Sequence, residues 1–408
     1  MGQTASQLGE HTSLLVLKLF AVLTLDAGAG QLGVLRAAGR VPALLLTLFV
    51  GAWVDGWRTR TVMMLSDAGR ALVLGAAAPA GLLGLLGLPV LIVVAFVVEA
   101  LSVFFDVAYQ ASLVRLVERD RLVRGNSALE GSRSAAQTAG PALGGALVSL
   151  LSAPIAAACG ALFFALSFLS TRRIRHRESM PERPEHSDEP EHVERSERPP
   201  PVWRRIHEGL RFVVGDTSLR TVCLASAAFQ FFFAAVMTVQ LLFLPRELHL
   251  SGTAVGLSLA AVGPGALLGS VLAARLPGRF GHGAVLVSAA VLGDGAFLCM
   301  PALHGSPAVT VPALLAIGFV LGAGGQLVNV TVMTVRQAVT PAGMQGRAAA
   351  TVTFVGMGPA PLGSLLGGFL AQEWGLRTGL LVAAAGMMLS PLLMALSPLA
   401  RLGRTLPR

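Results

Sequence analysis

Apolar runs of about 20 residues recur along the whole chain, each long enough as a helix to cross a hydrocarbon core of roughly 30 Å. Their edges place twelve spans at 1–25, 33–52, 61–84, 88–111, 126–150, 153–171, 220–244, 253–274, 283–303, 308–333, 347–371 and 376–398. The rhythm breaks once. Between the sixth and seventh runs lies RHRESMPERPEHSDEPEHVERSERPPP, rich in Pro, Glu, Arg and His. It has too few apolar residues to bury a core, so it is expected to be disordered. The stretch Trp203 to Arg220 then alternates apolar and basic residues at helical spacing. That predicts a helix lying on a membrane surface. The whole pattern predicts an all-α membrane protein with two six-helix bundles, 1–171 and 220–398, joined by a linker, 172–219, and followed by a tail, 399–408.

Composition supports this reading. Charged residues make up 13% and apolar residues 54%, too little polar surface for a soluble chain of this length. The net charge of +9 would suggest nucleic acid in a soluble protein. Here the arginines fall in the gaps between runs, so no nucleic-acid partner is expected. Arg58 and Arg60, Arg115, Arg119, Arg121 and Arg124, Arg275 and Arg279, and Arg336 all follow even-numbered runs, and Arg401, Arg404 and Arg408 lie in the tail. The gaps after odd-numbered runs hold little beyond Arg246. The positive-inside bias therefore predicts a cytoplasmic linker and cytoplasmic termini. Lys18 is the one lysine. With the excess of Ala, Gly and Arg it points to a GC-rich bacterial genome, and so to the bacterial cytoplasmic membrane. Cys159, Cys223 and Cys299 lie far apart inside apolar runs and read as packing residues. No metal, no cofactor and no cleavable signal peptide are expected.

The hairpin GAWVDGWRTR, Gly51 to Arg60, joins the second and third runs. Trp53 and Trp57 suit a membrane interface. Gly51 allows a second helix to approach closely. Asp55 can sit against a helix N-terminus or an arginine in one conformation only, which would make it a latch. The two halves echo one another faintly. GPALGGAL (Gly140 to Leu147) has a counterpart in PLGSLLGGFL (Pro361 to Leu370), and the loop after the second run has one in Gly269 to Gly283. Parallel repeats of this kind build one large class of transporters.

These residues carry a resemblance. Gly51-x-x-x-Asp55-x-x-Arg58-x-Arg60 resembles the signature loop of the major facilitator superfamily, with Gly56 where that family usually has Arg and Arg58 where it often has Gly. Gly140-Pro141-x-x-Gly144-Gly145 is similar to the Gly-Pro-x-x-Gly-Gly motif of the superfamily's exporters. SQLGE, LSDAGRAL, FFDVAYQASLVRLV and VTPAGMQGRAAAT resemble the branch that includes macrolide and siderophore exporters. The resemblance covers nearly the whole chain. It implies the major facilitator fold of twelve transmembrane helices in two six-helix halves, working as a single copy. It also implies export of a small organic compound driven by the proton gradient. In that branch the first span usually begins before the SQLG segment. Here GQTASQLGEHTS is polar, which suggests a start further upstream or a short first helix.

An ionisable side chain at bilayer depth costs roughly 2.5–3.5 kcal/mol on insertion scales, so each is a candidate. Glu99 lies near the middle of the fourth run. Asp106 lies seven residues on, hence on the same helical face, and Tyr109 and Gln110 extend that stripe. Glu10 and Lys18 lie in the first run. Glu10, Glu99 and Asp106 are the candidate proton carriers, because coupling needs a carboxylate that loads and releases a proton as water access alternates. A structural role near the gate is the other reading of Asp106. Lys18 either pairs with Glu10 or Glu99, faces the cavity and meets an acidic group on the substrate, or snorkels. If it pairs, it holds that carboxylate ionised and weakens it as a carrier. Glu130 with Arg133 reads as a structural ion pair, Asp67 and Arg70 as interface residues, and Asp294, between two glycines, as a helix contact. The family fold implies that the first, fourth, seventh and tenth spans line the cavity. Gln230 and Phe232, with Gln326 and Asn329, then join Lys18 as substrate-facing candidates. An apolar wall with a few amides suits a bulky organic molecule, although the phenylalanines read equally well as packing residues. Gly51, Asp55, Arg58 and Arg60, and Gly140, Pro141, Gly144 and Gly145, are the expected gating elements.

Other functions are constrained. Import or uniport by the same fold, or a non-transporting, sensor-like membrane protein, remain alternatives. An intramembrane enzyme is not expected: the chain has no HExxH, no GxSxG and no aspartate pair spaced for metal–diphosphate chemistry. It also has no GxxxxGK[ST] for ATP.

Overall fold

The computed structural model describes residues 2–55, 57–116, 122–173, 210–341 and 345–403, and every regular element among them is helical. In chain order these are α1 Gly2–Leu19, continued by a π-helical turn Phe20–Thr24, α2 Ala29–Asp55, α3 Thr59–Leu82, α4 Leu88–Leu116, α5 Leu122–Leu151 and α6 Ala153–Arg173. After the linker come α7 Thr217–Arg246, α8 Gly252–Ala260, α9 Val262–Phe280, α10 His282–Gly295 with a 3-10 extension Ala296–Ala302, α11 Pro307–Val339, α12 Gln345–Met357, α13 Ala360–Trp374, α14 Leu376–Met387 and α15 Leu389–Ala395.

Three of the expected spans are broken four residues before a proline, whereas Pro42, Pro79 and Pro141 lie inside unbroken helices. Pro264, Pro361 and Pro391 each stand four residues beyond the last residue of α8, α12 and α14, namely Ala260, Met357 and Met387. A proline ring clashes with the carbonyl four residues back and has no N–H to offer it. Each pair therefore bends at that point and continues: Gly252–Phe280, Thr351–Trp374 and Leu376–Ala395 are each long enough to cross a membrane.

Nine helical stretches among the described residues are both long and apolar enough to span. α1, α2 and α5 are long helices of 18, 27 and 30 residues that are more polar. Ser6, Gln7, Thr12 and Ser13 of α1 are buried, so this face of the polar first helix is interior surface of the bundle, whereas Gln31 and Arg40 of α2 and Ser134 and Gln137 of α5 are exposed.

α1 packs on α5 and α6, α3 on α4 and α6, and α2 on α4; after the linker, α7 packs on α12 to α15 and α11 on α9 and α10. The tight contacts joining the two groups are α2 with α13 and α5 with α8. They lie toward the ends carrying the short hairpins at 25–28, 152 and 247–251. This is the hairpin face, and the opposite one is the linker face. Of the expected surface helix, residues 210–220 are described: 210–215 are helical, and from Thr217 the chain belongs to α7. Val213 is buried beside Leu219 and Val222, while Leu210 and Val214 are exposed. The Pro/Glu/Arg/His-rich stretch lies outside the described residues.

Candidate functional site

Arg70 of α3 is fully enclosed, and its guanidinium has no exposed surface. Its Nη2 donates to Asp67 Oδ1 at 2.5 Å and to Ser6 Oγ at 2.9 Å, and Nη1 donates to Ser102 Oγ at 3.1 Å. Ser6 Oγ in turn donates to Asp67 Oδ1 at 3.2 Å. The rings of Phe105 and Phe164 lie 4.6 Å and 4.3 Å from the guanidinium carbon, on α4 and α6. Asp67 and Arg70 are thus a buried ion pair tying α1, α3, α4 and α6 together. This corrects the interface role expected for them. The spacing placed them near a helix start, but each has a polar partner on a neighbouring helix, and pairing makes burial tolerable.

The expected carboxylates gather beside this knot. Glu10 Oε2 lies 3.8 Å from Arg70 Nη1. Glu10 is also within electrostatic reach of Asp106, Glu99 and Arg133. Gln7 Nε2 donates to Asp106 Oδ1 at 3.0 Å. Arg133 of α5 acts on Glu10, Asp106 and His11, so it faces the cluster. The Glu130 side chain lies outside the described residues, as does that of Gln110.

Lys18 makes no hydrogen bond or ion pair among the described residues. Its electrostatic neighbours are Arg36, Arg40 and Glu99, not Glu10. Arg36 and Arg40, two turns and three turns into α2, were not singled out by the sequence reading. The signal was present: two arginines inside the second apolar run.

The glycine motif divides into two jobs. A Cβ on Gly140 would collide with His11 of α1, and one on Gly144 would meet Thr12 O at 3.0 Å. Thr12 Oγ1 donates to Gly140 O at 3.3 Å. These two positions pack α5 on its own half. Gly145 instead faces α8, where an added Cβ would lie 2.9 Å from Gly256 Cα and closer still to Gly252 O. Pro141 offers its carbonyl to the same surface, against Gly256. The second half repeats the pattern. Gly363 and Gly367 of α13 pack on Phe231 and Ala235 of α7, while Gly368 meets Ala29, Gly30 and Gly33 of α2. The faint echo in the sequence is therefore one contact made twice. Ser149 Oγ accepts from Thr253 N at 2.8 Å, and Arg246 Nη2 donates to Asp26 Oδ1 at 2.6 Å, both across the halves on the hairpin face.

The other gating candidates lie on the linker face. Gly51 and Asp55 end α2, and the Asp55 side chain lies outside those described. Arg58 is exposed and precedes α3 in extended backbone. Arg60 Nε donates to Thr171 O at 3.3 Å and Nη2 to Arg172 O at 2.8 Å, capping the last carbonyls of α6. Phe49, Trp53 and Trp57 form a ring ladder beside Phe104.

In the second half Gln230 is half-buried and Asn329 is exposed. Phe232 stands edge-on to Phe231 and its ring fills the space beside Gly386 of α14, so it packs within its own half. Gln326 packs on Gly269 of α9. Gly293 lies against Gly324 of α11, and Asp294 beside it is buried, as expected of a helix contact.

Inward-facing glycines at the meeting of two repeated halves, with charged side chains at bilayer depth in one of them, define a secondary transporter of the major facilitator class. Solved structures share this fold. A bacterial homologue of the iron transporter ferroportin in an inward-facing state superposes with a TM-score of 0.72 over 96% of this chain and 96% of its own, at 17% identity. A bacterial homologue of the human lysosomal transporter Spinster, inward-facing and unoccupied, gives 0.68 over 98% and 95% at 14% identity. Residues 4–405 match the family described as transmembrane secretion effector, and the chain belongs to that branch of the major facilitator superfamily. Among its relatives are the multidrug efflux pumps Tap of Mycobacterium tuberculosis and of Mycolicibacterium fortuitum. The first is 29% identical over 387 residues, covering 89% of this chain and 84% of the relative. The second is 26% identical over 402 residues, covering 92% and 93%.

Proposed function

We propose that this chain exports small organic compounds across the bacterial cytoplasmic membrane by alternating access, taking in protons in exchange. α1, α2 and α5 complete twelve spans with the nine apolar ones, in two six-helix halves with the linker and both termini cytoplasmic. The halves meet at the hairpin face, so the substrate enters between them from the linker face. The observation that carries the coupling is the cluster of Glu10 and Asp106, two carboxylates on facing helices α1 and α4, within reach of one another and of Arg70 and Arg133. Like charges held close at bilayer depth favour sharing a proton, and rocking the halves changes which face supplies it. The names of the Tap relatives support the outward direction.

The test is efflux from a drug-hypersensitive bacterium expressing the chain, with a panel of dyes and antibiotics, with and without a protonophore. Protonophore-sensitive export is expected, and Glu10→Gln is expected to abolish uphill export while preserving downhill exchange. Full pH-driven export by Glu10→Gln, Asp106→Asn and the double variant would remove the carboxylate pair as the coupling site.

A further inference from the structure

Arg70 shows what a compensated guanidinium looks like in this bundle: a carboxylate partner, two hydroxyls and two ring faces. Among the described residues Arg36 has no carboxylate, hydroxyl or ring partner of this kind; its Nε, like that of Arg70, is sealed from solvent without a hydrogen-bond partner. Arg40 and Lys18, its neighbours in charge, make no ion pair among the described residues. The carboxylate that reaches Lys18 and Arg40 is Glu99 of α4. Lys18 and Arg40 therefore share one carboxylate, and Arg36 beside them has none, where an uncompensated enclosed charge costs roughly 2.5–3.5 kcal/mol.

Their depth excludes the usual escape. Arg36 and Arg40 lie about 10 Å and 16 Å along α2 from its start at Ala29, Lys18 about 9 Å from the end of the π-helical turn at Thr24, and Glu99 about 16 Å along α4. With α1, α2 and α4 spanning as proposed, these positions lie at bilayer depth; Lys18 and Arg36 are half-buried there and Arg40 is exposed. A surplus of positive charge at that depth, part of it accessible, suits an anion that arrives from outside the chain.

Building on the exporter reading above, we propose that Lys18, Arg36 and Arg40 form a subsite for an acidic group on the transported molecule: a carboxylate, sulfonate or phosphate attached to an apolar body. Glu99 is the resting counter-ion that the substrate's acid displaces from Lys18 and Arg40. The planar guanidinium of Arg36 can hold two oxygens of one acid, and Lys18 adds a point charge beside it. Proton and substrate sites are then separate: Glu10 and Asp106 on one side of Glu99, the cations on the other.

Binding is measured without a gradient, on the purified full-length chain in detergent, as the rise in thermal midpoint with ligand concentration. The probes are two matched pairs: 1-naphthylacetate with 1-naphthylacetamide, and 2-naphthalenesulfonate with 2-naphthalenesulfonamide. The acids are expected to raise the midpoint and their neutral twins to leave it nearly unchanged. Losing one charge-assisted bond weakens acid binding about tenfold, so K18Q and R36Q are expected to need about ten times more acid. R36K is expected to keep only part of the effect, because an ammonium holds one oxygen where the guanidinium holds two, and R279Q on the linker face retains all of it. Equal shifts by acid and amide in the unmodified chain overturn the proposal, and this comparison requires no variant to fold. Unchanged acid affinity in folded K18Q and R36Q overturns it as well. A chain that binds acids but exports nothing keeps the subsite and loses the exporter reading. A chain that exports neutral compounds and binds no acid does the reverse.

Discussion

Gly145→Ala is a one-carbon perturbation whose effect follows from geometry. The added Cβ would lie 2.9 Å from Gly256 Cα and 3.0 Å from the Gly252 carbonyl carbon, with Gly252 O nearer still. Carbon atoms pack at about 3.5–4.0 Å and a carbon against an oxygen only slightly closer, so α8 has to withdraw by about 1 Å or more. The obstructing atoms are backbone on a helix and have no rotamer to escape into. Overpacking of this kind costs about 1–3 kcal/mol, but only while α5 and α8 touch. Once the hairpin face parts, the methyl meets nothing. The equilibrium therefore shifts about 5- to 150-fold toward the parted state. The readout is disulfide formation between S149C and T253C with Cys159, Cys223 and Cys299 replaced by Ser, because the Ser149 hydroxyl and the Thr253 amide are 2.8 Å apart when the face is closed. Gly145→Ala is expected to slow cross-linking at least fivefold and to cut turnover. Gly140→Ala is the control. Its Cβ strikes His11 of its own half, so it should lower stability and leave the cross-linking rate unchanged. Equal cross-linking rates in Gly145→Ala and its parent would refute the argument that this contact opens during the cycle.

Two further outcomes test the structural framework. Arg70→Gln strands the buried Asp67 carboxylate and is expected to cost about 3–5 kcal/mol in thermal denaturation, with part recovered by adding Asp67→Asn; a melting point like that of the unmodified chain would remove the knot from the account. Asp26→Asn breaks the Arg246 pair across the hairpin face, but Asp26 is 93% exposed. Exposed pairs contribute little, so transport should stay within about fivefold, and a larger loss would show the pair to be a latch.

The helical frame was legible because a bilayer imposes length and apolarity on each span, and the breaks at Pro264, Pro361 and Pro391 fall where proline chemistry puts them. The glycine motif was legible as a packing signal. Its division was not, because facing one's own half or the other depends on a single residue step, Gly144 to Gly145, about 100° around α5. Arg70 was misplaced for a related reason. Spacing gives depth along a helix, whereas its partners Ser6, Ser102 and Phe164 come from three other helices. Arg36 and Arg40 were hidden by the same arginine excess that made orientation readable. Arginines counted for the sign of a face draw attention away from those inside a run.

The two halves share their hinge surfaces but not their chemistry. Gly145 on α8 and Gly368 on α2 are equivalent contacts, so the interface resists opening in the same way on both sides of the pseudo-axis. Glu10, Glu99, Asp106, Lys18, Arg36 and Arg70 all belong to the first half; in the second, Asp294 lies beside a glycine contact, and Phe232 and Gln326 pack within that half. On the proposed coupling, a proton arriving at Glu10 or Asp106 changes charge in one half alone. It would then favour rocking only by altering how α1, α2 and α5 present themselves to α8 and α13. Gly140 and Gly144 hold α5 to α1 within two residues of Glu10, at His11 and Thr12. The same helix carries Gly145 to the opposite half one residue later. In the proposed cycle α5 would be the shortest rigid path from the protonated carboxylates to the parting interface, and its glycines keep that path free of side chains that would absorb a shift of a few tenths of an ångström.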